Sequence, residues 1–230
     1  MREERIGDAR LFLGDCREVL PGLSGVNAVI TDPPFNAGRS FANDDMHEEE
    51  WRLFCSSLAC MLKFLDPENV LIEVGKNDKE MRAAFDATFN YKWAISLNYT
   101  NAMRNGAVGY SNFGLVLWYG GKCHQRYMDR IDAPLTSTIS EFRHPSPKEI
   151  THYQRLVSMF TKSHSIVLDP FMGSGTTGVA CARLGRQFIG CEIDERYFDT
   201  ACRRIEQAQR QADLFVPRAI TPKATQPAML

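Results

Sequence analysis

Residues 166–192 read IVLDPFMGSGTTGVACARLGRQFIGCE and contain the strongest indication of the fold. Its apolar beginning, Ile166–Leu168, is typical of a buried strand. Glycines 173, 175 and 178 then spell a G-x-G-x-x-G turn, where the missing Cβ lets the backbone bend tightly and approach a ligand. The turn leads into a predicted helix, Thr176–Leu184, and Gly185 follows at the position of a helix C-cap.

A second predicted strand, Gln187–Cys191, ends in Glu192. Glu192 lies at the ~20-residue spacing from the glycine turn at which a nucleotide-binding βαβ unit places the carboxylate that binds a ribose. The order of strand, glycine turn, helix, strand and acid therefore predicts a nucleotide-like cofactor. The pattern alone does not separate a nicotinamide dinucleotide from S-adenosylmethionine.

Short apolar runs alternate with helical patterns along the rest of the chain, which is typical of a parallel α/β sheet with helices on both faces. The other predicted strands are Leu11–Leu13, Ala28–Thr31, Val70–Val74, Trp93–Asn98 and Gly114–Tyr119. The other predicted helices are Glu48–Phe64, Asp78–Thr88, Pro147–Lys162 and Glu195–Gln211. We expect one domain over residues 1–212 and a disordered, proline-containing tail over 213–230.

The composition excludes several classes of protein. A chain of 230 residues with 44% hydrophobic residues, and without a run of about 18 apolar residues, indicates a globular protein that does not span a membrane. The charged N-terminus is unlike a secretory signal, and the seven cysteines form no Cys-x-x-Cys pair. We therefore expect reduced thiols, no metal site and a cytoplasmic location. Since the net charge is only −1, a nucleic-acid partner would have to meet a local basic patch.

A second motif, Asp32-Pro33-Pro34-Phe35, follows the strand Ala28–Thr31. The consecutive prolines fix φ and remove two N–H donors, so their carbonyls remain as acceptors at the carboxyl end of the strand. An aromatic amine is a poor nucleophile because its lone pair is delocalised into the ring. Acceptors such as the Asp32 carboxylate and the Pro33 carbonyl would hold its hydrogens out of the ring plane, and Phe35 would stack on the extruded base.

Together the two motifs resemble the amino-methylating DNA methyltransferases of the permuted β order, in which the catalytic motif precedes the cofactor motif. Asp32-Pro33-Pro34-Phe35 is similar to their catalytic motif in its adenine form, whereas the cytosine-N4 enzymes more often carry Ser in place of the Asp. The resemblance runs from about Leu11 to Ile205. It departs from the family at Glu149, where the family usually has a proline after the lysine of its His-Pro-x-x-Lys segment.

The resemblance implies a Rossmann-like methyltransferase fold with a seven-stranded, mostly parallel sheet whose last strand is antiparallel. The family's first two strands would be Ile166–Leu168 and Gln187–Cys191, with Leu11–Leu13 and Ala28–Thr31 as the third and fourth. It also implies that S-adenosylmethionine is bound by Asp15, Cys16, His144, Lys148, Asp169, Phe171, Gly173, Ser174, Gly175, Thr176, Glu192 and Ile193. Cys16 would pack there and would not act as a nucleophile.

Target recognition is expected in a short segment within residues 99–143, which comprises a predicted loop, Tyr99–Asn112, and Lys122–Phe142. Its basic excess suits phosphate contacts. The polar loop Asn36–His47 is expected to close over a flipped base. The residues predicted to contact DNA are Asn36, Arg39, Arg104, Lys122, Arg126, Arg130 and Arg143. Family members often pair as dimers, so the resemblance implies a possible homodimer, which would bring two such surfaces to one duplex.

The sequence thus predicts direct methyl transfer from S-adenosylmethionine to the N6 amine of adenine in DNA, without a metal or a covalent enzyme intermediate. Transfer to cytosine-N4 or to adenine in RNA needs nearly the same chemistry and stays open. A nicotinamide-dependent oxidoreductase would leave the Asp-Pro-Pro-Phe motif without a purpose. A DNA-binding module without turnover would retain both motifs, so an assay has to exclude it.

Overall fold

The computed structural model describes residues 1–36, 45–75, 78–101, 104–106, 109–136 and 148–215. The strands are β1 Arg2–Ile6, β2 Ala9–Leu13, β3 Ala28–Thr31, β4 Asn69–Val74, β5 Tyr91–Tyr99, β6 Arg104–Gly106, β7 Gly109–Ser111, β8 Phe113–Gly120, β9 Arg130–Ala133, β10 Ile166–Asp169 and β11 Gln187–Glu192. The helices are α1 Cys16–Val19, α2 Glu48–Phe64, α3 Lys79–Thr88, α4 Ile150–Phe160, α5 Thr176–Leu184 and α6 Glu195–Phe215, and a 3-10 turn, Leu20–Gly22, follows α1.

Nine strands form one sheet in the order β1-β2-β11-β10-β3-β4-β8-β5-β9. The strands β2, β11, β10, β3 and β4 are parallel neighbours, and β8 lies antiparallel between β4 and β5. The predicted Rossmann-like fold is therefore confirmed. If only the seven predicted strands are counted, in the order β10, β11, β2, β3, β4, β5 and β8, the antiparallel β8 is the seventh, as the resemblance implied.

The sheet has two strands more than the seven predicted, one at each edge. Strand β1 pairs antiparallel with β2, and β9 pairs parallel with β5. Neither strand has the apolar run of a buried strand. The largely exposed β1 contains mostly charged residues, and the four-residue β9 alternates polar and apolar residues within the predicted recognition segment. The predicted loop Tyr99–Asn112 is also wrong in part, because it contains the antiparallel pair β6 and β7.

The core has two layers, one on each face of the sheet. Helices α4, α5 and α6 pack on one face through residues such as Leu156, Val179 and Ile205. Helices α2 and α3 pack on the other through residues such as Leu58 and Phe85. Helix α6 runs to Phe215, past the predicted domain end at 212, and residues 216–230 lie outside the described part of the chain. No helix within the described residues is both long and apolar enough to cross a membrane.

The amino-terminal edge of the sheet is joined to α4 by the fully buried side chain of Asn69. Its Nδ2 donates to the carbonyls of Lys122 and Phe160 at 2.9 and 3.1 Å. Its Oδ1 accepts from Trp118 Nε1 and from the Lys122 N–H at 2.9 and 3.1 Å. One side chain thus satisfies polar groups of β8, of the segment after it and of the end of α4.

We expect Asn69→Ala to lower the free energy of unfolding by about 3 kcal/mol, because each buried group left without a partner costs about 1–3 kcal/mol. Urea denaturation followed by circular dichroism would measure the loss. Asn90→Ala makes the same change at an exposed position and should shift the free energy by about 0.5 kcal/mol or less. Equal effects of the two substitutions would contradict the structural role of Asn69.

Candidate active site

Four carboxylates lie at the carboxyl edge of neighbouring strands, where ligands bind in open α/β sheets. Asp15 follows β2, Glu192 ends β11, Asp169 ends β10 and Asp32 follows β3. These strands are adjacent in the order β2-β11-β10-β3, although the residues are far apart in sequence. The glycine turn and the Asp-Pro-Pro-Phe motif therefore lie at the ends of neighbouring strands, as the sheet order requires.

Asp169 joins these two motifs. Its Oδ1 accepts from Thr31 Oγ1 at 2.7 Å, and its Oδ2 accepts from Thr177 Oγ1 at 2.6 Å. The N–H of Phe171 donates to Oδ1 at 3.1 Å. Burial raises the pKa of Asp169 to about 6, although these donors favour the carboxylate. Because Thr31 directly precedes Asp32, this carboxylate ties the glycine turn to the strand that carries the second motif.

Glu192 organises the other side of the glycine turn. Its Oε2 accepts the N–H of Gly173 at 2.9 Å, and its Oε1 accepts the N–H groups of Ile193 and Asp194 at 2.9 and 2.8 Å. Burial raises the pKa of Glu192 to about 7, against the effect of these donors. Gly175 has φ +82°, and a Cβ there would lie 2.8 Å from Cβ of Ala201, so the turn requires glycine at this position.

Arg204 of α6 supports the turn from behind. Its guanidinium donates to the carbonyl and the Oγ of Ser174, and it lies 3.4 Å from Thr176 Oγ1. Ser174 and Thr176 are themselves buried. Sequence reasoning missed Arg204, because an arginine on the polar face of an amphipathic helix carries no signal of a loop contact.

Asp15 and its neighbours close the β2 end of the site. The N–H of Gly14 donates to the Glu192 carbonyl at 2.9 Å, and Asp15 caps α1 by accepting the Arg17 N–H at 2.9 Å. Hydrogen bonding to the Arg17 side chain lowers the pKa of Asp15. Cys16 is buried, and burial raises the pKa of its thiol to about 12, so it stays protonated at neutral pH. This protonation agrees with packing and not with nucleophilic attack.

At the β3 end, Asp32 forms an ion pair with Lys148, whose Nζ lies 2.9 Å from Asp32 Oδ2. The same Nζ lies 2.7 Å from Oε1 of Glu73 and 5.6 Å from the centre of the Phe35 ring. Burial raises the pKa of Asp32 to about 7, with the Lys148 ammonium opposing and the Glu73 carboxylate adding to the rise. Burial also disfavours the Lys148 ammonium, but the two carboxylates outweigh it and raise the pKa of Lys148.

The arrangement has the chemistry of a site for a cationic, ribose-containing ligand. Carboxylates dominate the edge, and Glu192 has the position in the βαβ unit from which such a residue binds ribose hydroxyls. Ile193, which is 48% exposed, offers apolar surface directly beside Glu192. Within the described residues, no cluster of His, Cys, Asp and Glu is arranged to hold a metal ion.

The residues predicted to contact DNA are distributed unevenly. Asn36 closes the base of the polar loop, because its Oδ1 accepts the Met46 N–H at 2.6 Å and its Nδ2 donates to the Met46 carbonyl at 3.0 Å. Arg104 begins β6, in the segment that joins the carboxyl end of β5 to the start of β8. Both therefore belong to segments at the edge that carries Asp32.

Three other predicted contacts are not brought to this edge. Lys122 and Arg126 follow β8, whose antiparallel direction returns the chain to the amino-terminal edge, where Asn69 bonds to Lys122. Arg130 lies on the outer strand β9 and is paired with Asp132 at 2.9 Å. Arg39, Arg143 and His144 lie outside the described residues, so their predicted roles stay predictions.

Comparisons with known proteins agree with this geometry. The sequence model of the N6 and N4 DNA methylase family matches residues 72–203. YubD of Escherichia coli K12, named as a methylase, is 28% identical over 230 residues, which cover 92% of this chain and 99% of YubD. The type II methyltransferase M2.DpnII of Streptococcus pneumoniae is 29% identical over 65% of this chain and 46% of its own length.

Solved structures show the same fold. M1.HpyAVI in its complex with SAM has a TM-score of 0.69 and 25% identity, and the match covers 86% of this chain and 98% of that one. The PvuII DNA methyltransferase, which is cytosine-N4-specific, has a TM-score of 0.70 at 15% identity over 89% of this chain and 91% of that one. At that identity, the likeness to PvuII concerns the fold alone.

We expect Arg204→Met to loosen the glycine turn. Hydrogen bonds from a charged donor contribute about 1.5–3 kcal/mol, and partial exposure reduces this value, so amide exchange across residues 171–178 should become about tenfold faster. Hydrogen–deuterium exchange with mass spectrometry measures the change. Arg203→Met removes the exposed neighbour, which bonds to Thr200, and should leave the exchange of the turn unchanged. If amide exchange across residues 171–178 were equally fast in both variants, Arg204 would not stabilise the turn.

Proposed function

The chain belongs to the N6/N4 DNA methyltransferase family, and on that premise we propose that it transfers a methyl group from S-adenosylmethionine to the N6 amine of adenine in DNA. The adenine assignment is supported by the aspartate at position 32, where the cytosine-N4 enzymes more often carry Ser, and transfer to an amine is supported by the placement of Asp32. It lies at the carboxyl end of the strand next to the glycine turn, and its Oδ1 is buried without a hydrogen-bond partner among the described residues. A buried acceptor of this kind suits the N–H of an incoming amine.

The glycine turn and its acids fit S-adenosylmethionine, which carries positive charge on its sulfonium and ammonium groups. When bound, it supplies an electrophilic methyl group with a good leaving group. We assign the ribose hydroxyls to Glu192 and the adenine ring to Ile193. Asp15 lies beside Glu192, since Gly14 donates to the Glu192 carbonyl. Asp169 adds negative charge between the turn and Asp32.

In this proposal Asp32 and the Pro33 carbonyl accept hydrogen bonds from the target amine and turn its lone pair towards the methyl group. With the cofactor bound, the S–C bond would break as the N–C bond forms, and the Asp32 carboxylate would take the proton that the amine loses. Phe35 packs close to Gly75, where a Cβ would lie 3.5 Å from the Phe35 side chain, and offers its ring for stacking on the base. Asp32 and Lys148 form an ion pair, so we assign Lys148 to the catalytic motif and not to the cofactor. Acceleration comes from positioning and fixed charge.

The proposed DNA-facing surface is the carboxyl edge. Asn36 and the strand that begins at Arg104 belong to it, whereas Lys122 and Arg126 lie at the opposite edge. Phosphate contacts near the flipped base are therefore assigned to Arg104 first. A homodimer, which would bring a second surface to the duplex, stays a prediction.

Methyl transfer from labelled S-adenosylmethionine to mixed-sequence DNA, followed by nucleoside analysis, tests the proposal. We expect N6-methyladenine from the wild type and a loss of about a hundredfold or more in Asp32→Ala, because an acceptor aimed at the reacting amine is removed. The cofactor should still bind to the variant in calorimetry.

Asp8→Ala is the matched control, because Asp8 is exposed in the turn between β1 and β2 and should be dispensable. Labelled N4-methylcytosine would overturn the adenine assignment and keep the family. Full turnover in Asp32→Ala would overturn the mechanism.

The pH dependence follows from the buried carboxyl of Asp32. Only the ionised form of Asp32 can accept hydrogen bonds from both the Lys148 ammonium and the target amine. Burial raises the pKa of Asp32 to about 7. Activity is therefore present above that pKa and lost as the pH falls through it. We expect kcat/KM to fall about tenfold for each pH unit below 7. Steady-state rates between pH 5 and 9 measure the profile, and a flat profile down to about pH 5 would contradict this role.

A further inference from the structure

A charged residue, Glu73, lies in the buried central strand β4. Its neighbours along the strand are apolar, and only 5% of Glu73 is exposed. Burying a carboxylate is costly unless it is paired and hydrogen-bonded. The residue therefore needs partners that compensate the charge, and these are found on the face of the sheet that packs against α4.

Both oxygens of Glu73 are engaged. Oε1 accepts from Lys148 Nζ at 2.7 Å, and Oε2 accepts from the buried Tyr153 Oη at 3.0 Å. The space for the carboxylate comes from Gly114 of β8, where a Cβ would lie 2.8 Å from Oε1. Tyrosine, lysine and glycine thus fix one orientation of Glu73.

This orientation determines what Lys148 does. Its ammonium lies between Glu73 and Asp32, 2.9 Å from Asp32 Oδ2. Since Glu73 is itself anchored by Tyr153, the ammonium has a fixed position. Oδ2 of Asp32 is therefore occupied by the lysine, while Oδ1 finds no partner in the described part of the chain.

We propose that Glu73 is a positioning residue for methyl transfer, which holds Lys148 against one oxygen of Asp32 and so reserves the other oxygen for the target amine. The inference rests on the proposed role of Asp32. Glu73 acts through Lys148 and does not contact the substrate itself.

The charges around Asp32 make the proposal measurable. Glu73 and Asp169 disfavour its carboxylate, Lys148 favours it, and Tyr153 and Tyr99 lie within the same group of side chains. In Glu73→Gln a like charge beside Asp32 is lost while Lys148 keeps its ion pair with Asp32, so the pKa of Asp32 should fall. In Lys148→Met the ammonium is lost, so the pKa of Asp32 should rise.

The first test is an NMR titration of the free protein with carbon-13 at the aspartate carboxyls, in which Asp32→Asn identifies the Asp32 signal. We expect the Asp32 midpoint to move by about one pH unit downwards in Glu73→Gln and by about one unit upwards in Lys148→Met. Shifts of opposite sign establish that Glu73 and Lys148 both act on Asp32 through their charges, and the kinetic test below decides whether Glu73 also positions the lysine. Shifts of the same sign, or none, overturn the proposal.

The second test is kinetic and measures kcat above the acid limb, where Asp32 is ionised in every variant. Glu73→Gln should lower kcat about tenfold with KM for S-adenosylmethionine unchanged. Gly114→Ala displaces the Glu73 carboxylate without removing a charge and should reproduce this fall in kcat. Gly22→Ala, where a Cβ meets nothing within 4 Å, is the matched control and should retain wild-type kcat.

The two tests separate this inference from the proposed function. The titration requires no substrate, so it decides the linkage of Glu73, Lys148 and Asp32 even if the target is not adenine. A wild-type protein that methylates adenine, with unchanged kcat in Glu73→Gln and Gly114→Ala, overturns the inference alone. A wild-type protein that leaves adenine unmethylated overturns the proposed function.

Discussion

The active site depends on one buried carboxylate, that of Asp169, which accepts hydroxyl groups from two sides. Thr31 belongs to the strand that leads into the Asp-Pro-Pro-Phe motif, and Thr177 belongs to the helix that follows the glycine turn. Burying a carboxylate without hydrogen-bond donors costs free energy, and the two hydroxyl groups reduce this cost by donating to Asp169. The bond between Thr31 and Asp169 spans 138 residues of sequence and joins the two motifs at neighbouring strands.

From this junction the site extends in two directions. Glu192 and Arg204 shape the glycine turn by hydrogen bonds to its N–H, carbonyl and hydroxyl groups, and these bonds determine the form of the proposed cofactor site. On the other side, Lys148 lies between Asp32 and Glu73 and balances part of their negative charge. Fixed charges of this kind need no reorganisation during a reaction, which is how electrostatic preorganisation accelerates chemistry.

Much of this architecture was predictable, because its signals are local. The bounds of α2, α5 and β3 follow the apolar periodicity residue by residue, and Gly185 ends α5 in the left-handed conformation expected of a C-cap. The edge strands β1 and β9 were missed because an exposed edge needs no apolar run. Each edge strand forms because it pairs with a neighbouring strand, and the residues of the edge strand alone do not indicate that neighbour.

The site was predictable where a motif places an acid at a strand end, as at Asp32 and Glu192. Glu73 was missed, although a single acid in the apolar run of β4 was a usable signal of a buried, paired charge. Lys122 was assigned to DNA although the implied antiparallel last strand, β8, returns the chain to the amino-terminal edge, because no residue near Lys122 signals that direction. Direction within a sheet is a property of the whole topology and not of the residues in one strand.

Two pre-modified DNA substrates of the same mixed sequence test whether Asp32 holds an adenine amine for methylation. In one, every adenine already carries an N6-methyl group, and in the other every cytosine carries an N4-methyl group. We predict that the DNA with N6-methyladenine takes up no label from S-adenosylmethionine. The DNA with N4-methylcytosine should take up as much label as unmodified DNA. Label in the first and none in the second would contradict this role of Asp32.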